Sequence, residues 1–299
     1  MRKKAFLVLS MASGMLVACL AAVMAASPGS GQTASVTLVG AGDIAGCSEQ
    51  GRSSATADLL GRIGGTVYAL GDNVQGQGDI DEFRNCYDPT WGKYKKRTKP
   101  SVGNHEYHTT GAKPYYDYFG ARAGRPSRGY YSYDRGRWHV VVLNSNCGQV
   151  GGCENNSPQG RWLRNDLRNN PSRCTLAYFH HPLQATGLNT PSPQVRSFWA
   201  MLHDRNADVI LSGHAHRYER HAPMTPAGRR SADGIRQFVV GTGGADGGDE
   251  VYRSQTPNLQ KLKIGTSGVL RLNLRADSYA WKFVPVAGTF KDSGTDSCH

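Results

Sequence analysis

Several chemistries are missing from this chain of 299 residues. It has no Gly-x-Ser-x-Gly turn and no cysteine in a nucleophilic setting, which excludes hydrolysis through an activated serine or thiol. Cysteine is scarce, seven residues in all, and none are spaced Cys-x-x-Cys as a structural zinc site needs. The glycine-rich run Gly241-Thr242-Gly243-Gly244 has no lysine behind it, so it is not a nucleotide P-loop. It ends a strand signal and reads as a tight loop, with a phosphate cradle of backbone amides as the alternative. Acidic residues are few, 23 against 35 lysines and arginines, giving a formal charge of +12. Such an excess steers anions toward the surface, or serves only solubility or wall adhesion. Its densest cluster, Lys93 to Lys99, does not by itself describe a nucleic-acid site. From Ser35 to Pro285 there is no repeat, low-complexity break or second linker.

What is present begins with Met1-Arg2-Lys3-Lys4 and an apolar stretch from Ala5 to Ala26, interrupted by Ser10, Ser13 and Gly14. This is the form of an export signal, with Val23-Met24-Ala25 as the cleavage site, and the expected location is secreted. The alternatives are a retained membrane anchor or lipid attachment at Cys19, in Leu16-Val17-Ala18-Cys19, which would tether the chain to the outer membrane face. Without Arg2, Lys3 and Lys4 the charge falls to +9. The six remaining cysteines are an even set, as in disulfide-bonded exported proteins. Spacing does not fix their pairing; the expected pairs are Cys47–Cys86, Cys147–Cys153 and Cys174–Cys298. The expected organisation is a signal over 1–26, a flexible leader over 27–34, one compact domain over 35–287 and a polar tail over 288–299.

Strand signals fall at Val36–Ala41, Thr66–Leu70, Tyr130–Tyr133, Trp138–Leu143, Thr175–Phe179, Asp208–Leu211, Gln237–Val240, Gly268–Asn273 and Tyr279–Val284. Helix signals fall at Ser53–Leu60, Pro158–Arg168 and Pro193–His203, the last two opening on a proline that a first turn tolerates. Strand and helix alternate early and strands pair late. This predicts an α/β fold of two facing mixed β-sheets flanked by helices.

Five segments place metal-seeking side chains where strands end. They are Gly42-Asp43, Gly71-Asp72-Asn73, Gly103-Asn104-His105-Glu106, His180-His181-Pro182 and Gly213-His214-Ala215-His216. Carboxylates, an amide and imidazoles at the carboxyl ends of strands share one edge of a sheet. The mixture suits a pair of transition-metal ions, which at a separation of about 3.5–4 Å form the usual clamp for attack at phosphorus. Taken singly, each residue fits a cap, turn or packing role just as well.

In this order, over residues 40 to 218, the segments resemble the calcineurin-like metallophosphoesterase superfamily, and Gly213-His214-Ala215-His216-Arg217-Tyr218-Glu219-Arg220 is similar to its purple-acid-phosphatase branch. The resemblance implies a metal-dependent phosphoesterase with two divalent or mixed-valence ions (Fe, Zn or Mn) and a hydroxide shared between them. It implies Asp43 and His216 on the first metal, Asn104, His180 and His214 on the second, and Asp72 bridging. His105 would face substrate as the catalytic group, and Glu106 would orient or tune it. Asn73, His181 and Arg217 would touch substrate or support the ligands. Arg220 with Glu219 reads as a structural ion pair, and His139, His203 and His221 have no identifiable partners.

Two positions depart from the family pattern. Ala45 stands where many members have a histidine, and Gln75 where the purple branch has a tyrosine. The first metal is therefore expected to bind more weakly, and no ferric charge-transfer colour is expected. The expected substrate is a small phosphorylated molecule, a phosphomonoester before a phosphodiester, with polyanion contact through the basic surface and no obligate protein partner. The competing expectation is a non-catalytic polyanion- or wall-binding protein on the same fold.

Overall fold

The computed structural model describes residue 1 and residues 35–187, 191–246 and 256–299. The expected export signal, lipoprotein box and leader lie outside the described residues. Thirteen strands are described. The first three are β1 (Val36–Ala41), β2 (Thr66–Leu70) and β3 (Thr98–Ser101). There follow β4 (Tyr131–Arg135), β5 (Trp138–Val142), β6 (Cys174–Tyr178), β7 (Val209–Ser212), β8 (Tyr218–His221) and β9 (Arg236–Val240). The last four are β10 (Leu259–Lys263), β11 (Gly268–Leu274), β12 (Ser278–Pro285) and β13 (Ser293–Ser297). The helices are α1 (Gln50–Arg62), the single turn α2 (Ile80–Glu82), α3 (Lys113–Phe119), α4 (Pro158–Asn169) and α5 (Arg196–His203).

The strands form two mixed sheets, in the orders β13-β12-β11-β1-β2-β3 and β10-β8-β9-β7-β6-β5-β4. β1, β2 and β3 are parallel, as are β5, β6, β7 and β9, and antiparallel strands extend both sheets. The two-residue period of a strand explains the layering. Val140 and Val142 of β5, Leu176 and Tyr178 of β6, and Val209 and Leu211 of β7 pack with Leu38, Val67 and Leu270 of the other sheet. The intervening Val141, Ala177 and Ile210 pack instead with Leu163 and Leu167 of α4 and with Phe198 and Trp199 of α5. α4 starts where sequence rules place it, with Ser157 Oγ accepting from Gly160 N and proline at the first position.

The tail expected over 288–299 is in part a strand. β13 pairs with β12, and side chains tie this segment to the second sheet. Asp292 accepts from Tyr218 Oη at 2.7 Å and Arg220 Nε at 2.8 Å, and Asp296 accepts from Arg236 Nη2 at 2.8 Å. Ser-Gly-Thr-Asp-Ser carries no apolar alternation, so hydropathy gave no signal for it. Arg220 therefore pairs with Asp292, not with Glu219 as expected. The three disulfides are Cys47–Cys86, Cys147–Cys153 and Cys174–Cys298, as expected, and the last links the start of β6 to the end of β13.

His139, given no partner by the sequence, is clamped between two carboxylates. Its Nδ1 lies 2.9 Å from Asp134 Oδ1 and its Nε2 2.8 Å from Asp166 Oδ2, and Ser132 Oγ donates to Asp166 Oδ1. Burial disfavours charge on the ring, but hydrogen bonds and attraction from Asp166 and Asp134 outweigh it and raise the pKa above 6.5. A raised pKa in the folded state means the clamp contributes fully below the unfolded value and is lost as pH climbs through the folded one. His139→Gln is expected to flatten the pH dependence of denaturant unfolding above about pH 6.5. An unchanged profile would show that the clamp contributes nothing.

Candidate metal centre

The carboxyl ends of β1, β2, β3, β6 and β7 meet along one edge, and the five metal-seeking segments follow them directly. Contact there is close enough to require glycine. A Cβ on Gly103 would sit 2.1 Å from Asp72 Oδ1, and one on Gly213 2.6 Å from Asp43 Oδ2. Three ligand candidates take left-handed backbone without being glycine: Asp43 at φ 58°, Asp72 at 45° and His214 at 67°. Such conformations persist only where surrounding contacts impose them. Here the contacts are Asp43 N to Gly71 O at 3.1 Å, His214 N to Asp43 Oδ2 at 2.8 Å and His105 N to Asp72 Oδ1 at 2.9 Å.

Glu106 is the organiser of two of these loops. Its fully buried carboxylate accepts from the backbone N–H groups of Asp72 (3.1 Å), Asn73 (2.6 Å), Val74 (3.3 Å) and Gly103 (2.6 Å). The expectation that it orients His105 is corrected by this arrangement. Glu106 holds loop backbone, and the His105 ring is held by Gly76 O at 3.0 Å. Burial, then repulsion from Asp72, push the Glu106 carboxyl up to about 7, against the pull of its backbone donors.

The donor atoms converge in two groups. His180 Nε2 lies 3.0 Å from Asn104 Oδ1, 3.1 Å from Asp72 Oδ2 and 3.2 Å from His214 Nδ1. His216 Nε2 lies 3.2 Å from Asp43 Oδ1. One ligand atom each from Asp43, Asp72 and His180 falls within 4.8 Å of the others. The other imidazole nitrogens decide what this crowding means. His180 Nδ1 donates to Leu70 O at 2.8 Å and His216 Nδ1 to Asp246 O at 2.6 Å, since a carbonyl only accepts. On neutral rings the Nε2 lone pairs would then face carboxylate and amide oxygens. Asp43 Oδ1 is buried and accepts no hydrogen bond. Lone pairs facing lone pairs in a buried site fit cations placed between them.

Without a cation, a proton does part of that work. Burial opposes charge on His180, but Asp72 and then Asp43 raise its pKa to about 9. The same pairing holds Asp72 well below the carboxylate range despite burial. His214 is lowered to about 4 by burial and by His180. Burial opposes charge on His216, but the nearby Asp43 carboxylate raises its pKa.

The remaining expected residues are held by hydrogen bonds and ring packing. Asn73 Nδ2 donates to Ser101 O at 3.1 Å. His181 meets Ser145 Oγ at 2.8 Å and lies against the His214 ring, with centroids 4.5 Å apart; burial and the neighbouring His180 and His214 depress its pKa. Arg217 is buried and donates to Thr186 Oγ1 at 3.2 Å. Gln75 Nε2 donates to Asp72 O at 3.1 Å. The glycine run is a tight loop: Gly243 N donates to Gly42 O and Ala245 N to Asp43 O, both at 2.9 Å.

Sequence reasoning missed Asn144, Ser145, Asn146 and His108. Asn146 Nδ2 reaches Gly103 O at 3.3 Å, and Asn144 Oδ1 accepts from Asn146 N at 3.0 Å. His108 shares Gly76 O with His105. The polar triplet after apolar β5 was the available signal.

A family model described as calcineurin-like phosphoesterase matches residues 37–218, which contain every one of these ligand candidates. The chain belongs to the calcineurin-like phosphoesterase family. Purple acid phosphatase 21 of Arabidopsis thaliana is 27% identical to this calcineurin-like phosphoesterase over 224 residues, 64% of this chain and 49% of that protein. Purple acid phosphatase 23 of the same plant is 27% identical over 161 residues, 46% of this chain and 34% of that protein. The chain thus spans about half or less of the length of these relatives. The fold is similar to that of a purple acid phosphatase from yellow lupin (Lupinus luteus) seeds, with a TM-score of 0.70 at 17% identity, over 89% of this chain and 54% of that one. It is also similar to that of a dimetal phosphatase from Danio rerio, with a TM-score of 0.56 at 13% identity, over 88% of this chain and 99% of that one.

Proposed function

We propose that this chain is an exported phosphohydrolase that cleaves phosphate esters, monoesters in preference to diesters, at a site for two metal ions. The observation that carries the proposal is the set of metal-ligating side-chain atoms converging around His180 Nε2 and Asp43 Oδ1. Asn104, His180 and His214 would hold one ion, Asp43 and His216 the other, and Asp72 both. Such a pair supplies positive charge against phosphoryl oxygens and acidifies coordinated water. Iron, zinc and manganese all suit these donors.

His105 is the chain's own candidate acid. Its Nδ1–H is given to Gly76 O, and its Nε2, 3.8 Å from Asp72 Oδ2, belongs to a partly exposed ring. Protonated at Nε2, it would donate to the leaving oxygen, a contribution of about 10²–10⁴-fold. Three disulfides support an oxidising location outside the cytoplasm. The ion at Asp43 and His216 would be the more weakly held, because Ala45 offers no donor where many family members have a histidine.

The test combines metal analysis with rates on nitrophenyl phosphate and bis-nitrophenyl phosphate. Two ions per chain are expected, one lost first to a chelator, with faster turnover of the monoester. Faster turnover of the diester would reassign the substrate class. Absence of turnover with manganese, iron and zinc, together with salt-sensitive retention on a polyanion, would favour the non-catalytic binder.

A further inference from the structure

We infer that a cavity linked to the candidate metal centre through Asn144 and Asn146 is a subsite for the leaving group, lined to suit a planar ring that carries an anionic group, as a nucleotide does. The catalytic part of this inference rests on the phosphohydrolase reading. The cavity has a volume of about 560 Å³ and is lined by Arg125, Arg128, Tyr130, Tyr131 and Trp162 among others. Tyr131 opens β4 and pairs with Val142 at the carboxyl end of β5, which in turn pairs with β6, the strand that leads into His180.

A chain of hydrogen bonds joins the two places. Asn144 Nδ2 donates to Arg128 O at 3.0 Å, Asn144 Oδ1 accepts from Asn146 N, and Asn146 Nδ2 reaches Gly103 O, next to Asn104. The turn that presents the arginines is fixed. Arg128 N donates to Arg125 O at 3.1 Å, Gly129 N reaches the same oxygen at 3.3 Å, and Ser127 is held at φ 63°.

The chemistry of the lining selects the ligand. Arg125 and Arg128 are exposed, and among the described residues neither has a carboxylate within ion-pair distance. Two guanidinium groups on one cavity favour an anionic ligand, and their planar forks suit phosphate or sulfate oxygens. Trp162 is half-buried, braced by Tyr130 with ring centroids 5.0 Å apart, and it also lines the cavity. A braced indole is a stacking surface for a flat ring, and stacking tolerates many ring identities. Neither the arginines nor Trp162 is used by the metal centre.

Two measurements on the protein as purified test this. Adenosine 5′-sulfate offers ring and anion without phosphorus. It is expected to quench tryptophan fluorescence saturably. The quench should disappear in Trp162→Phe, and half-saturation should rise about tenfold or more in the double variant Arg125→Ala/Arg128→Ala. In parallel, the kcat/KM ratio of adenosine 3′,5′-bisphosphate over phenyl phosphate should fall about tenfold in the double variant. No saturable quench, a quench that survives in Trp162→Phe, or an unchanged ratio overturns the inference while leaving ester hydrolysis standing. A normal quench in a protein that hydrolyses no ester overturns the phosphohydrolase reading and keeps the binding site.

Discussion

Asp72→Asn is expected to lower the rate of phosphate-ester hydrolysis by at least about 10²–10³-fold while the chain stays folded, as removal of a preorganised charged group at a reacting centre typically does. The asparagine oxygen would still accept from His105 N, the bond that now runs to Asp72 Oδ1 at 2.9 Å, so the loop keeps its anchor. What is lost is the negative charge facing His180 Nε2 at 3.1 Å and the only carboxylate proposed to serve both ions. An amide nitrogen at that position is no ligand, so metal content should drop below two per chain. Unfolding by denaturant, metal analysis and turnover of nitrophenyl phosphate check the three parts. Retained turnover with two ions bound would remove Asp72 from the centre.

Glu106→Ala is expected to be the most damaging single change to folding. It would leave the N–H groups of Asp72, Asn73, Val74 and Gly103 buried without their acceptor. Each unsatisfied buried group costs about 1–3 kcal/mol, so a loss of about 4–12 kcal/mol is expected, comparable with the whole stability of many domains. Glu106→Gln should be milder, about 2–4 kcal/mol. Its amide nitrogen would face donors at Asp72 and Gly103, while its oxygen still serves Asn73 and Val74. Soluble yield and denaturant midpoints measure both. A midpoint for Glu106→Ala close to that of the parent would show the loops held by other means.

The contrast between Glu106 and its neighbours also shows what was legible in the sequence. The apolar runs of β1, β2, β6 and β7, each ending in a turn with a donor side chain, marked the edge and the order of ligand candidates. That signal is local. The distant partners of Glu106, His139 and Arg220, Asp72, Asp166 and Asp292 among them, were not legible, because they lie 27 to 72 residues away and depend on how strands cross over. β3 was hidden by Lys99 and Pro100, and β13 by a wholly polar pentapeptide that is strand only because β12 and the Cys174–Cys298 bridge hold it there. Asn144 and Asn146 were passed over because amides suggest turns, whereas their role is to brace Gly103 and the Arg125–Gly129 turn.

The left-handed backbone at Asp43, Asp72 and His214 has a consequence for survival outside the test tube. Each such residue strains the chain by roughly 1–2 kcal/mol, and all three lie on one rim. That rim is where local opening should begin, and whatever binds only the closed form suppresses it. In a protease-rich medium, the lifetime of the protein would then follow its cation supply, and starvation for metal would lead to cleavage there before the sheets themselves came apart.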